Sequence, residues 1–316
     1  MSDSRKCDCC GSKSQEVIFN YTRYIKNDVV QCLDCGLVFL KDIKSENQLI
    51  DHYNHNYRTK SDFPVQTPEE LFNNPINLKD TIERIRWITT QINLKSMSVL
   101  EIGSASGRLL EAMKKKGAGV TGIELTSEMV KYSRSLGLMV LDKPLTKLKL
   151  DGEFDLIVSF HCLEHINNPT KTFAAIKRAL KPNGVFMGEV PNQNDWRISM
   201  FDSVLVKRFH YDPNHNFYFS PEMLKNYFKN CGLALKNLET VERYNTLTQL
   251  KRILSGENDT HKIESLLNRD IYTTADKDIR INQTHKDKEI YFQKILGDAI
   301  NKNLLGNCIR WIAKKA

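Results

Sequence analysis

Short apolar runs alternate with amphipathic segments through the middle of the chain. Each run is too short for a helix and is bounded by glycine or polar residues, which predicts a buried strand. The segments between the runs carry apolar side chains at helical spacing, as Leu109, Leu110 and Met113 do. This alternation is typical of an α/β domain with a mostly parallel sheet. The predicted strands are Val99–Ile102, Gly119–Glu124, Leu138–Leu141, Phe154–Phe160, Val185–Val190 and Leu233–Val241.

The segments around these strands are less regular. Apolar residues recur at helical spacing from Ile76 to Leu94, which predicts a helix packed across the sheet just before the first strand. Residues 41–75 are polar and irregular, which favours a docked linker. Residues 193–219 are predicted to form a long loop, and its histidines and aromatic residues favour a functional role over disorder.

The C-terminal part of the chain has a weaker pattern. Asn307–Ala313 alternates, with Cys308, Arg310 and Ile312 on one face, which predicts a seventh strand returning antiparallel beside the sixth. On this interpretation, residues 245–303 form a helical insertion between the last two strands. The alternative is a simple C-terminal helix.

Composition and charge narrow the classes of protein. The chain has 316 residues, 41% hydrophobic residues and a net charge of +8. The sequence contains no run of 18 apolar residues, which is the length needed to span a membrane, and no apolar signal region follows Met1. We therefore expect a cytoplasmic protein. The positive charge favours an anionic partner only weakly, because the lysines are dispersed, as on an ordinary solvated surface.

Two cysteine pairs define an N-terminal module. Cys7 and Cys10 form one C-x-x-C-G unit, and Cys32 and Cys35 form a second, with a β-rich segment between them. Four thiolates at this spacing suit tetrahedral Zn²⁺, so residues 1–42 are predicted to be a zinc ribbon with a structural metal. Cys9 is the spare cysteine, because only Cys7 completes the C-x-x-C spacing with Cys10.

A glycine-rich loop follows the first predicted strand. Val99–Gly107 reads V-L-E-I-G-S-A-S-G and joins a strand to a helix through small residues, as in nucleotide-binding α/β domains. The dinucleotide fingerprint requires glycine or alanine where this chain has Arg108. Glu124 ends the second strand 21 residues after Gly103, at the distance from which an acidic side chain reaches both ribose hydroxyls.

The fourth strand leads into His161-Cys162-Leu163-Glu164-His165. Ligands of open α/β sheets bind at the carboxyl ends of the strands, so Ser159 to His161 are expected beside the cofactor. Glu164 stands beside the second histidine and not the first, so the H-E-x-x-H protease motif is absent. His165 is predicted to be mainly a structural contact at the start of the next helix.

The acid-x-Gly-x-small-x-Gly spacing resembles motif I of class I S-adenosylmethionine-dependent methyltransferases. The segments G-I-E, F-D-L-I-V-S-F-H-C-L-E-H-I, L-K-P-N-G-V and V-P-N follow in the order of that fold, over roughly residues 76–240. The resemblance implies a Rossmann-like, seven-stranded and mostly parallel sheet with S-adenosylmethionine as cofactor. The cofactor-binding residues that it implies are Glu101, Gly103, Ser104, Gly107, Glu124, Leu125, Ser159 and His161.

A second resemblance concerns the acceptor. The cysteine module and the segment H-N-F-Y-F-S-P-E-M-L are similar to those of bacterial nucleotide-sugar methyltransferases. This resemblance implies His215 as the catalytic base, with His161 as second choice, and Tyr53, Tyr57 and Tyr218 as substrate contacts. The deoxysugar C-methyltransferases of that group have a glutamate where this chain has Asn214, and they carry a further C-terminal domain.

These departures favour O-methylation of a sugar, nucleotide-sugar or related small metabolite over C- or N-methylation of a deoxysugar. Two further candidates are an RNA base methyltransferase that grips RNA with the zinc module, and a non-catalytic zinc-ribbon adaptor. The predicted organisation is a ribbon over residues 1–42, a linker and packing helix over 43–97, and a class I methyltransferase domain over 98–316.

Overall fold

The computed structural model describes residues 5–23, 25–44, 67–201, 203–243 and 283–315, together with positions 48, 246, 249 and 253. Eleven strands in these residues form two sheets. In chain order they are β1 (Gln15–Phe19), β2 (Val29–Cys32), β3 (Val38–Leu40), β4 (Ser98–Ile102), β5 (Gly119–Ile123), β6 (Met139–Leu141), β7 (Phe154–Phe160), β8 (Leu180–Pro191), β9 (Phe217–Tyr218), β10 (Leu233–Val241) and β11 (Cys308–Lys315).

The larger sheet has seven strands in the order β10-β11-β8-β7-β4-β5-β6. Its strands run parallel except β11, which is antiparallel to both β8 and β10. The predicted mostly parallel, seven-stranded α/β sheet is therefore confirmed. β4 lies inside the sheet between β7 and β5, and the loop after it opens at the edge where the parallel strands end.

The predicted seventh strand is confirmed, and the alternative of a C-terminal helix through this segment is wrong. Its fully buried face is the one formed by Ile309, Trp311 and Ala313, each 0% exposed. Arg310 lies on the other face, where its Nε donates to Oε2 of Glu189 at 2.5 Å. The fully buried face is therefore the one opposite to Cys308, Arg310 and Ile312.

The helices pack on the two faces of this sheet. One correction concerns residues 41–75, which are not irregular throughout, because Pro68–Asn73 is helical. Thr67 and Glu70 form a capping box at its start, a local signal that the polar composition obscured. The helices whose bounds lie within the described residues are α1 (Pro68–Asn73), α2 (Pro75–Gln91), α3 (Arg108–Lys115), α4 (Ser127–Ser135), α5 (Pro169–Ala179), α6 (Trp196–Met200), α7 (Val204–His210), α8 (Pro221–Cys231) and α9 (Gln283–Lys302).

The segment 193–219 also differs from the predicted loop. It holds the short helices α6 and α7 and ends in β9. β9 pairs antiparallel with β3, with Val38 opposite Tyr218 and Phe39 opposite Phe217. The smaller sheet, in the order β1-β2-β3-β9, is thus completed by a strand that comes some 180 residues later in the chain.

The N-terminal ribbon shares a hydrophobic core with the larger domain. Cys7 and Phe39 belong to the same buried cluster as Phe173 of α5, Phe217 of β9 and Tyr227 of α8. Burial of this shared apolar surface stabilises the docked ribbon. Among the residues that the structure describes, no helix is both long enough and apolar enough to span a membrane.

Candidate active site

The loop between β4 and α3 brings the backbone close to the strand ends. Gly103 and Gly107 have φ angles of +79° and +81°, in the left-handed region that favours glycine. A Cβ at Gly103 would lie 2.7 Å from Sγ of Cys162, and one at Gly107 would lie 2.6 Å from Cδ1 of Leu138. Glycine is therefore favoured at both positions, and the loop backbone forms a cradle at the strand ends.

Glu124 stands at the end of β5 beside this cradle. Its Oε2 accepts from the backbone N–H of Ala105 at 2.9 Å. Its Oε1 accepts from the N–H groups of Leu125 and Thr126, at 2.9 and 2.7 Å. Three backbone donors fix the carboxylate, and Oε2, which accepts only one of them, keeps a lone pair for a further donor.

Two cavities meet at the loop. The first, about 300 Å³, is mostly apolar, and the second, about 260 Å³, is rich in charged side chains. Gly103, Ala105 and His161 line both. The first is also lined by Ile123, Glu124, Leu125, Leu145, Cys162 and His165, and the second by Asp80, Arg84, Glu101, Ser104, Arg108 and Arg243.

Glu101 is the buried acid of the second cavity. Burial raises its pKa to about 8, against the opposing charge of Arg84. Its Oε2 has no hydrogen-bond partner among the described residues. Arg84 projects from α2 and stacks over the ring of Phe160, 4.9 Å from the centroid. Sequence reasoning missed Arg84, because the helical periodicity marks only the apolar face of α2.

A buried acid with one unpartnered oxygen, a glycine cradle and a fixed carboxylate together fit S-adenosylmethionine. The comparisons agree, since a family profile described as a methyltransferase domain matches residues 76–238, or 163 of 316 residues. The chain belongs to the methyltransferase family. It is an S-adenosylmethionine-dependent methyltransferase, so the predicted enzyme class is confirmed and the non-catalytic adaptor is wrong.

The methyltransferase has relatives named ubiquinone biosynthesis O-methyltransferase. That of Thiobacillus denitrificans is 28% identical over 182 residues, covering 54% of this chain and 78% of the relative. That of Azoarcus sp. is 30% identical over 183 residues, covering 53% and 76%. A solved S-adenosylmethionine-dependent methyltransferase from Archaeoglobus fulgidus shares the fold, with a TM-score of 0.51 at 19% identity over 78% of this chain and 97% of its own.

His161 follows β7 and lies between two carboxylates. Its Nε2 is 2.8 Å from Oε1 of Glu189, and its Nδ1 is 3.5 Å from Oε1 of Glu164. Burial and the charge of Arg243 oppose protonation, but contacts with Cys308 and the two glutamates outweigh them and raise the pKa of His161 well above its usual range. His161 is therefore protonated near neutral pH. Arg243 also pairs with Asp80, a link that the sequence did not indicate.

His215 lies behind His165 as seen from the first cavity. The two rings meet edge to face with centroids 4.8 Å apart. Nδ1 of His165 donates to the carbonyl of Asn214 at 2.8 Å, and His165 lines the cavity, which the predicted structural role did not include. Burial lowers the pKa of His215 to about 4, and its Nδ1 has no partner among the described residues. His215 is therefore a neutral imidazole near pH 7.

Four cysteine sulfurs converge in the ribbon. Sγ of Cys7 and Cys35 are 3.5 Å apart, as are those of Cys10 and Cys32. All four sulfurs lie within 4.8 Å of one another, and Cys9 is outside this group. A tetrahedral ion with Zn–S bonds of about 2.3 Å sets sulfurs about 3.8 Å apart, so the donor set fits zinc.

The remaining predicted residues lie in different places. Tyr53 and Tyr57 are outside the described residues. Tyr218 is 3% exposed, and its hydroxyl donates to the carbonyl of Asp212 at 2.9 Å, beneath His215. Ser159 is fully buried, and its hydroxyl has no partner among the described residues, whereas Ser104 lines the second cavity.

Proposed function

We propose that this enzyme methylates a hydroxyl group of a sugar, nucleotide-sugar or related small metabolite. The observation that carries the proposal is the pairing of β3 with β9, which joins the cysteine ribbon to the segment that holds His215. A ribbon that serves only stability needs no contact with this segment. Its attachment there favours a composite acceptor site, with walls from the ribbon and from the methyltransferase sheet.

The cofactor supplies an electrophilic methyl group when bound. In the proposal, Glu101 and Arg84 hold the ammonium and carboxylate of its methionine part in the charged cavity, beside Ser104 and Gly103. Glu124 takes the ribose hydroxyls. The apolar cavity, with Leu125 and Leu145, takes the adenine. The protein then positions the acceptor and removes its proton, because the positively charged sulfur of the cofactor already makes methyl transfer favourable.

His215 is the proposed general base. A base must be unprotonated before it reacts, and the lowered pKa of His215 meets this condition. His161, the second choice, has Glu164 near one ring nitrogen and Glu189 at the other, and its raised pKa favours a positioning role. His165 lies between His215 and the cofactor cavity. The acceptor comes within reach of His215 through His165 or by a small movement of the loop.

Zinc in the ribbon is part of the same proposal. Cys7, Cys10, Cys32 and Cys35 would hold it, and four thiolates leave no open coordination position for catalysis. Its proposed contribution is structural, because the β2–β3 hairpin presents β3 to β9. A module of about 40 residues rarely folds without such a metal.

A second candidate acceptor is a phenol. Relatives named ubiquinone biosynthesis O-methyltransferase favour it, as does the apolar lining of the first cavity, in which no described residue is a lysine or arginine. Nucleotide-sugars would then need their cationic contacts elsewhere in the site. RNA bases and the carbon or nitrogen atoms of a deoxysugar are the remaining acceptors to be compared.

The test is incubation with methyl-labelled S-adenosylmethionine and a panel of nucleotide-sugars, free sugars, catechols and RNA, with the methylated atom identified by NMR. Sugar O-methylation supports the proposal, and turnover confined to another class contradicts it. With the acceptor that the wild-type enzyme methylates, His215→Asn should lower kcat by about 10²–10⁴-fold and leave cofactor affinity unchanged. His210→Asn, in the same segment, is the control. Full turnover by His215→Asn would refute the base assignment.

A further inference from the structure

One buried carboxylate lies among three imidazoles after β7. Glu164 is 1% exposed. One of its oxygens, a ring nitrogen of His165 and a ring nitrogen of His215 all lie within 4.8 Å of one another. His161 approaches the same carboxylate from the cofactor side, with Nδ1 3.5 Å from Oε1. Glu164 therefore lies near both His161, which is protonated, and His215, which is neutral.

The charge of Glu164 depends on these rings. Burial pushes its pKa upward, but the contact with His161 opposes burial, and the pKa is lowered. Neither oxygen accepts a hydrogen bond of ordinary length from the described residues. An ionised carboxylate in such a place is costly unless nearby positive charge compensates it. Glu164 therefore has unused hydrogen-bond acceptors near the neutral imidazole of His215, which indicates a role in the reaction.

We propose that Glu164 is a positioning residue for methyl transfer, which keeps His161 charged beside the cofactor and stabilises the charge that His215 gains with the acceptor's proton. This inference rests on the proposed base. The acceptor oxygen bonds to the methyl carbon as the carbon–sulfur bond breaks, its electron pair stays on sulfur, and the hydroxyl proton passes to His215. The resulting imidazolium faces Glu164, much as a triad aspartate stabilises its imidazolium.

Other charges around the cluster come from several elements. Asp212 acts on His215 more strongly than Glu164 does, but of the carboxylates in the described residues Glu164 is the one that acts on both His161 and His215. Glu189 on β8 contacts His161 but is already paired with Arg310 of β11. Asp212 faces His215 and is paired with Arg23 of the ribbon. The titratable and charged groups that act on the two histidines, besides Glu164 itself, are Arg23, His165, Glu189, Asp212, Arg243 and Cys308.

The test is a double-mutant cycle on kcat, with Glu164→Gln and His215→Asn in the full-length protein and its best acceptor. Glu164→Gln keeps the shape and removes the charge, so we expect kcat to fall about 10²-fold in the wild type and less than threefold in the His215→Asn background. Glu164→Asp, which restores the charge, should recover at least tenfold over the glutamine variant. Cofactor affinity, measured by calorimetry, should change less than threefold.

A second measurement needs no acceptor. NMR titration of the histidine rings should show a lower pKa for His161 in Glu164→Gln than in the wild type, which a purely structural role of Glu164 would not produce. Additive effects in the cycle, or an unchanged His161 pKa, would overturn the inference. A metal ion beyond the one bound by the four cysteines, lost in Glu164→Gln, would make Glu164 a ligand and overturn it too. Unimpaired His215→Asn would instead refute the proposed base, so the two failures are distinguishable.

Discussion

The Asp8 carboxylate, between two of the clustered cysteines, caps the first turn of α5 by accepting from Thr170. Its Oδ2 lies 2.9 Å from the Thr170 backbone nitrogen and 2.8 Å from the hydroxyl, and the Tyr227 hydroxyl donates to the same oxygen at 3.2 Å. The N–H groups of a helix's first turn have no partner within the helix. The ribbon thus supplies a second cap, beside the larger domain's own Asn168, whose Oδ1 accepts from the backbone N–H of Lys171 at 2.8 Å.

Loss of this cap should loosen the docked ribbon. Asp8→Ala should reduce the free energy of unfolding by about 1 kcal/mol, the usual cost of removing a helix cap, and lower Tm by about 2–4 °C. Calorimetry checks the shift, and metal analysis should show zinc retained. The matched control is Asp34→Ala, because Asp34 is exposed in the second cysteine unit. Equal losses in both variants would show that the contact with Thr170 contributes nothing specific.

The glycine cradle can be tested apart from backbone strain. Gly103→Ala places a Cβ 2.7 Å from Sγ of Cys162, whereas Gly137 has a similar φ of +71° with open space around it. Both alanines pay about 1–2 kcal/mol for the left-handed conformation. Only Gly103→Ala should also weaken cofactor binding, by tenfold or more in calorimetry. If Gly137→Ala weakens binding as much, the close approach to Cys162 is not the cause.

The cofactor half of the site follows local spacing, so the sequence indicates that these residues come together, and their binding of the cofactor stays a prediction. Gly103, Gly107 and Glu124 lie within a single strand–loop–helix–strand unit, and their positions depend on few other contacts. The acceptor half depends on pairings between distant segments. Nothing near Phe217 in the sequence indicates that it becomes the edge strand of a sheet built by residues before 41, because strand pairing at such separation has no local signal.

The protonation states of the histidines could not be predicted for the same reason. His161 meets Glu189 from β8 and Arg243 from the end of β10, and their distances set its charge. From the sequence alone, His161 and His215 can be ranked as candidate general bases only by the motifs in which they lie. The missed helix α1 is a different case, because the Thr67–Glu70 capping box is local and could have been found.

Removal of the ribbon metal should act on the acceptor side of the site and spare the cofactor side. Cys10→Ser should abolish zinc binding, and Cys9→Ser, the matched control, should keep one zinc ion per chain. Without the metal the ribbon loses the ligand energy that folds it, and β9 loses its partner strand. We expect faster amide exchange at residues 217–218 and little change in cofactor affinity. Unchanged exchange in the zinc-free variant would contradict this coupling.

Glu101 should show a conflict between stability and cofactor binding. Its pKa of about 8 in the free protein lies above that of an unfolded glutamate, near 4.3, so the folded state holds the proton longer. The group's contribution to stability is therefore full below about pH 4 and is lost as pH rises toward 8. Glu101→Gln removes this loss, and Tm of the free variant should exceed that of the wild type most clearly above pH 8.

Cofactor binding should respond in the opposite direction. The ammonium of the methionine part favours ionised Glu101, so wild-type affinity should rise between pH 6 and pH 7.5, by up to tenfold per pH unit if one proton is released. Glu101→Gln should bind more weakly and lose this slope. Calorimetry in two buffers of different ionisation enthalpy would count the released proton directly. A wild-type affinity independent of pH over this range would show that Glu101 is already ionised in the free protein, which would remove the physical basis for both effects.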